Sequence, residues 1–396
     1  MQIVMCARCR AGFTMSPGVC PFCGSMQFFL TEMPVMPNPY ANPYANAYAN
    51  SYAAMQNQAE MNYQTGMNYL EGKNGVSKNE YTAVRYLTEA ANAGHAKAQF
   101  ELGYCYEMGY GVAQSFYEAV SWYRKAAEQG NTNAQNNLGA CYAKGEGVTQ
   151  NKYEAVKWYR KAAEQGNANA QDNLGWCYVQ GEGVTQNDYE AVKWYRKAAE
   201  QGLARAQRNL GFCYAEGKGV TRNYDEAIRW SRKAAEQGDS LAQRNLGVCY
   251  EQGFGVRRDC FEAIKWYRKA AMQDCGEGQC QLGHSYKEGI GCLKDLDTAI
   301  MWFRKGLEHE FADKMFRGKA LVDLGNCYEE KYDYATAVEY YEKAAKEGFD
   351  EAQYDYGRCW YYGRGVPKNK DVARALIEVA AKTGYQPAID FLRDHF

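Results

Sequence analysis

Two cysteine pairs stand close together near the start of the chain: Cys6-Ala-Arg-Cys9, ten further residues, then Cys20-Pro-Phe-Cys23. Thiolates are soft ligands, and two Cys-x-x-Cys pairs at this separation can place four sulfurs tetrahedrally around one Zn2+ ion. Gly24 directly follows the second pair and suits the tight turn that aims both sulfurs inward. With all four coordination positions filled by protein, none is left open for a substrate, so the chemistry this cluster predicts is structural. A segment of this size cannot fold on an apolar core alone, and metal binding would supply its folding energy.

Residues 1–30 resemble a short zinc ribbon, with Phe13, Phe22, Phe28 and Phe29 as its small core. The same sulfurs could hold iron. Cys20-Pro-Phe-Cys23 also looks like a glutaredoxin-type dithiol, although no βαβ pattern surrounds it. The segment carries Arg8 and Arg10 and no acid, a slight positive bias that leaves a second reading open: a ribbon-borne, nucleic-acid-associated regulator. The whole chain argues against that reading. Its 46 Lys and Arg face 47 Asp and Glu, and general phosphate binding needs a basic excess.

Beyond the ribbon, any functional side chain is positioned by a repeat. Leu-Gly, two residues, then Tyr recurs six times at a spacing of 36, with glycines Gly103, Gly139, Gly175, Gly211, Gly247 and Gly283. A fixed period of this length marks stacked supersecondary units, none of which buries its apolar face alone. Degenerate copies around Gly66, Gly325 and Gly357 bring the units to nine. In residues 168–202, Ala170, Leu174 and Tyr178 share one stripe at spacing four and predict a helix A. Ala191, Trp194, Tyr195, Ala198 and Ala199 predict a helix B facing it. Gly181 stops helix A, Gly183-Val184 lie in the connecting loop, Glu190 suits the first turn of B, and Gly202 closes it. A glycine inside a helix costs about 1 kcal/mol relative to alanine, so Gly175 predicts that another backbone comes close.

Of fifteen cysteines, seven lie two residues after the repeat glycines: Cys105, Cys141, Cys177, Cys213, Cys249, Cys327 and Cys359. They read as reduced core fillers, since packed helices about 10 Å apart are too distant for disulfides. Cys260, Cys275, Cys280 and Cys292 break the pattern and receive no role. Residues 31–58 combine Pro34, Pro37, Pro39 and Pro43 with Tyr40, Tyr44, Tyr48 and Tyr52. So few branched aliphatics predict a flexible, low-complexity linker, with a tyrosine-bearing docking or self-associating segment as the alternative. No apolar stretch has the length of a membrane span and the start lacks a secretory apolar core, so no membrane insertion and a cytoplasmic address are expected.

The unit Ala-Gln-x-Asn-Leu-Gly-x-Cys-Tyr…Gly-x-Gly-Val…Tyr-Glu-Ala-Val-x-Trp-Tyr-Arg-Lys-Ala-Ala-Glu-Gln-Gly is similar to the Sel1-like repeat, a relative of the tetratricopeptide repeat, over residues 59–384. The resemblance implies an all-α, right-handed superhelical solenoid of about nine helix pairs, with the A helices lining its concave face. It further implies a noncatalytic scaffold or adaptor that binds peptide segments of protein partners. Residues 385–396, with Ile389 and Leu392, are expected to form a capping helix. Two departures stand out. Gly283 and Gly325 are 42 residues apart, so about six are inserted near Phe311–Gly318. The following unit replaces the glycine loop by Tyr332-Asp333-Tyr334-Ala335-Thr336-Ala337.

Asn137, Asn173, Asn209 and Asn245 match the asparagine that tetratricopeptide domains aim at a bound peptide backbone. An amide both donates and accepts, so bonding between neighbouring A helices serves equally well. Other positions vary between near-identical units: Asn136, Asp172, Arg208 and Arg244 three before the glycine, and Ala140, Trp176, Phe212 and Val248 one after it. Trp176 and Phe212 are expected as aromatic anchors beside a groove. Arg205, Arg208 and Arg244 either recruit an acidic peptide or are solvated surface charges. Cysteine-rich members of the resembled family have been associated with β-lactam binding, and Lys382-Thr383-Gly384 matches one β-lactamase motif. No Ser-x-x-Lys exists to supply the nucleophile, and none of His95, His284, His309 and His395 recurs with a serine or cysteine. The chain is therefore expected not to be an enzyme.

Overall fold

A computed structural model describes residues 3–6, 12–14, 28–29, 43–310 and 314–396. Cys9, Cys20 and Cys23, and with them most of the expected ribbon, lie outside the described residues, as do residues 31–42 of the expected linker. Three short strands, β1 (Ile3–Cys6), β2 (Gly12–Thr14) and β3 (Phe28–Phe29), form an antiparallel sheet in the order β2-β1-β3. Val4 pairs with Phe13, and Met5 with Phe29.

From Pro43 onward the described chain is helical. The A helices are α1 (Pro43–Glu71), α3 (Ala96–Met108), α5 (Thr132–Lys144), α7 (Ala168–Gln180), α9 (Ala204–Glu216), α11 (Ser240–Gln252), α13 (Gly276–Glu288), α15 (Lys314–Glu330) and α17 (Asp350–Tyr362). The B helices between them are α2 (Glu80–Asn92), α4 (Phe116–Glu128), α6 (Lys152–Glu164), α8 (Asp188–Glu200), α10 (Tyr224–Glu236), α12 (Cys260–Met272), α14 (Leu296–Leu307), α16 (Tyr334–Lys346) and α18 (Lys370–Lys382), with α19 (Gln386–His395) last. Each helix packs mainly on its sequence neighbours, which is the contact pattern of a solenoid. One expectation is corrected here. Residues 43–58, read as linker, belong to α1. Pro43 opens that helix, where its missing N–H is no loss, and no further proline or glycine interrupts the alanine-rich run before Gly66.

The repeat's glycines divide into those needed for φ and those needed for closeness. Gly181 ends α7 in the left-handed region at φ 70°, its N–H bonded to Cys177 O. Gly183 also has positive φ, and a β-carbon there would lie 2.2 Å from the carbonyl oxygen of Lys152, at the start of α6. The Gly-x-Gly loop is thus the latch that seats one unit on the unit before it. Within α7, a β-carbon on Gly175 would sit 2.7 Å from the Tyr195 ring and 3.2 Å from Ala191 O. The close approach read from Gly175 is made by ring and backbone together.

Leu102, Leu138, Leu174, Leu210, Leu246, Leu282 and Leu324 are fully buried, each contributing roughly 1.5–3 kcal/mol. A polar spine runs beside them. Buried Gln171 donates to Ala163 O at 3.0 Å and accepts from Gln201 at 2.8 Å, and the same pairing recurs at Gln135 with Gln165 and at Gln207 with Gln237. Six of the seven ladder cysteines are buried and Cys249 is half-buried, all as free thiols.

The inserted residues lengthen helix A of their unit. α15 has 17 residues where its neighbours have 13, while residues 311–313 lie outside the described set. The next turn closes without a glycine loop: Tyr332 takes φ 63° and Asp333 caps α16 through Thr336 N. At the end, α19 buries Ala388 and Phe391. Of the two apolar residues on which the expected cap rests, Leu392 packs partly with the buried Phe391 and Ile389 is exposed.

Candidate partner-binding face

The four ladder asparagines bond largely within the stack. Asn173 Nδ2 donates to Asn136 Oδ1 of the preceding A helix at 2.9 Å, and Asn209 Nδ2 to Asp172 Oδ1 at 2.9 Å. Asn137 Nδ2 donates to the Tyr123 hydroxyl at 3.3 Å, and Asn245 Oδ1 accepts from Arg244 at 3.0 Å. Asn173 and Asn209 thus bond between neighbouring A helices, while Asn137 bonds a B helix and Asn245 its own neighbour. These side chains fix the face more than they reach out from it.

The arginines part company in the same way. Arg205 is ion-paired to Asp172 and also donates to Asn173 Oδ1 at 2.9 Å. Arg208 lies 3.5 Å from Asp239. Asp172 is withdrawn from the surface at 2% exposure, and burial raises its carboxyl, offset in part by Arg205 and the Asn209 bond. Arg244 has no carboxylate partner among the described residues; its Nε is buried without a hydrogen bond and its guanidinium lies 5.2 Å from the Phe316 ring. Trp176 and Phe212, at equivalent positions of α7 and α9, are 52% and 48% exposed.

Two acidic residues that the sequence reading passed over occupy the asparagine position of later A helices, two before Gly325 and Gly357: Asp323 and Asp355. Buried Asp323 accepts from Lys287 Nζ at 2.8 Å and lies 3.2 Å from His284 Nδ1. Burial works against its ionisation, yet the His284 hydrogen bond and the charges of Lys287 and Lys319 overcome it and hold the carboxyl at about 2. Asp355, bonded to Arg358 at 2.9 Å, is pushed the other way: burial outweighs the single arginine and raises it to about 6. The signal for both was available, as an acid where the repeat has an amide.

Other chemistry-bearing groups serve the architecture. His95 caps α3 by accepting from Ala98 N, and His395 stacks on Phe391 with ring centroids 4.1 Å apart. Lys382-Thr383-Gly384 is a helix end: Thr383 caps α18 and Gly384 takes φ 93°. Burial pushes the thiols of Cys105, Cys141, Cys280, Cys327 and Cys359 up to about 12, away from the thiolate that nucleophilic or metal chemistry needs. Among the described residues no group of three or more His, Cys, Asp or Glu is arranged to hold a metal ion, and no helix is long and apolar enough to cross a membrane.

Known proteins resemble the chain in repeat fold or sequence. Crystal structure c5321, a protective antigen of uropathogenic Escherichia coli displaying an SLR fold, is 34% identical with a TM-score of 0.53, covering 87% of this chain and 80% of that one. A Sel1 repeat protein from Oxalobacter formigenes is 36% identical with a TM-score of 0.58, covering 64% and 98% respectively. DAP3-binding cell death enhancer 1 of Rattus norvegicus is 42% identical over 45 residues, which is 11% of this chain and only 8% of that relative. The Sel1 repeat model matches nine segments, 59–95, 96–131, 132–167, 168–203, 204–239, 240–275, 276–310, 318–349 and 350–385, and the chain therefore belongs to the Sel1 repeat family.

Proposed function

We propose that the chain is a noncatalytic scaffold whose A-helix face holds an extended peptide segment of a protein partner. Sel1 repeat arrays act in general as protein-interaction scaffolds. The observation that carries the finer reading is the pair Trp176 and Phe212, two large aromatics half exposed at equivalent positions of consecutive A helices. Single exposed apolar residues are ordinary. Two in register along one face, with the unneutralised Arg244 lining a cavity shared with Phe212, match the aromatic and arginine anchors that dominate binding surfaces and suit a partner segment bearing acids. Asn173 and Asn209 act here as positioning residues, since their bonds link neighbouring A helices.

The four N-terminal cysteines form a separate structural Zn2+ site in this proposal, on the strength of their spacing and of the antiparallel pairing of β1, which ends at Cys6. The free thiols of the repeat array suit a reducing compartment, the cytoplasm. Random-peptide display against the full chain tests the face. Selected peptides should lose at least tenfold affinity for a Trp176→Ala, Phe212→Ala protein that keeps its helical circular dichroism. Peptides indifferent to both changes would place the working surface elsewhere.

A further inference from the structure

One unit lacks the large apolar side chain that covers the repeat glycine, which is Leu87 over Gly66 in the first unit and Ile377 over Gly357 in the last. In six others an aromatic side chain on helix B covers the glycine of helix A: Tyr123, Tyr159, Tyr195, Tyr267, Phe303 and Tyr341, all buried. At the equivalent place in α10 stands Ser231, so that Trp-Tyr-Arg-Lys of the repeat reads Trp230-Ser231-Arg232-Lys233. The glycine opposite, Gly211, meets only the serine hydroxyl and backbone. A cavity of about 330 Å3 opens between α9, α10 and α11, lined among others by Gly211, Ser231, Phe212, Val248, Asn245 and Arg244.

The surviving tyrosines show what a ring there would meet. The Tyr123 hydroxyl accepts from Asn137 and donates to Glu107. One hundred and eight residues on, three repeat periods, the counterparts of Tyr123, Asn137 and Glu107 are Ser231, Asn245 and Ala215. A guest ring would therefore find the amide but not the carboxylate. Charge adds a second element. Arg244 and Arg222 line the cavity against one acid, Glu216, and Arg244 has a buried Nε with no hydrogen-bond partner and no ion pair among the described residues. A cavity where neighbouring units seat a phenol ring, beside an unneutralised guanidinium, favours a ring flanked by negative charge.

We propose that the cavity left by Ser231 is an anchor site that takes a tyrosine side chain from a partner segment, with Arg244 binding an acidic residue next to that tyrosine. The inference rests on the scaffold reading above and specifies the partner's anchor. Its probe is the peptide acetyl-Asp-Tyr-Asp-amide, titrated against the full chain and followed by saturation-transfer NMR. Controls are acetyl-Asp-Ala-Asp-amide and acetyl-Asn-Tyr-Asn-amide.

Ser231→Tyr restores the ring of the other units and should fold with an unchanged or higher melting temperature, while weakening the acidic tyrosine peptide at least tenfold. Arg244→Gln should weaken that peptide about tenfold and leave the asparagine peptide unchanged. Equal binding by the parent and Ser231→Tyr, no binding to the parent, or indifference to the tyrosine overturns the anchor site. If displayed peptides still depend on Trp176 and Phe212 in that event, the scaffold reading survives alone. If binding is traced to the chain's own Tyr40–Tyr52 segment, because replacing those tyrosines raises probe affinity, the occupant is internal and the partner assignment fails.

Discussion

Asp323 and Asp355 hold the same position in consecutive A helices, yet replacing each by asparagine should move stability in opposite directions. Asp355 is 8% exposed, and its carboxyl is raised from 3.8 to about 6 by burial that Arg358 only partly offsets. At ~1.4 kcal/mol per pH unit, keeping it ionised at pH 7.5 costs roughly 3 kcal/mol. An acid whose folded pKa exceeds its unfolded one binds its proton more tightly when folded, so stability rises as pH falls through 6 and levels off below about 3.8. Asp355→Asn should then stabilise the carboxyl-terminal units by about 1–3 kcal/mol at pH 7.5 and have little effect at pH 4. Asp323 carries the opposite sign. Its carboxyl is held at about 2, so its ionised form contributes roughly 2 kcal/mol above pH 4, lost as pH falls toward 2. Asp323→Asn also leaves Lys287 buried without its main counterion. Because solenoid stability is local, hydrogen exchange resolved by helix is the assay. Amides of α17 should slow about tenfold or more in Asp355→Asn, and those of α13 and α15 should quicken by a similar factor in Asp323→Asn. Shifts of the same sign at pH 7.5 would refute the reasoning.

Three further outcomes are expected. Gln171→Ala removes two side-chain hydrogen bonds, to Ala163 O and from Gln201 Nε2, and should cost about 1–3 kcal/mol in all, seen as a lower urea midpoint. Gly183→Ala forces a left-handed backbone on alanine and drives its β-carbon into Lys152 O; the loss should exceed about 2 kcal/mol, read as a lower melting temperature. The purified chain should carry about one zinc per molecule by elemental analysis, and Cys6→Ser with Cys23→Ser should abolish it while leaving the helical signal intact.

Much of this fold was legible because the repeat states each packing rule several times over. Gly175 announced a close approach, and the approach is there. The two asparagine roles could not be separated in sequence, since an amide facing a partner and one facing its neighbour look alike. Nor could the arginines be sorted: the partners of Arg205 and Arg208 lie 33 and 31 residues away in other units, and pairing depends on how those units turn. The helix over residues 43–58 was hidden behind prolines that either precede it or stand at its first position. Ser231 was visible as a broken motif, but its meaning needed the rings of the other units in place.

The departures from the repeat share one neighbourhood, and their energetics explain why a stack can host them. Ser231 leaves a cavity, Arg244 a buried donor without a bond, and Lys287 with Asp323 a buried charge pair. In a single-core domain each would subtract from one global stability. In a solenoid each weakens one unit and its two interfaces, while units on either side keep their Tyr-over-glycine seams, glutamine bonds and glycine latches. α15, lengthened by the insertion, sets Phe316 over Arg244, so the guanidinium that lines the Ser231 cavity is held from the far side by a unit two repeats away. Binding groups can therefore be placed by rigid neighbours without those neighbours giving up their own packing. That separation of frame from site is the physical reason to look for the partner's anchor between α9 and α11 rather than along the regular units before them.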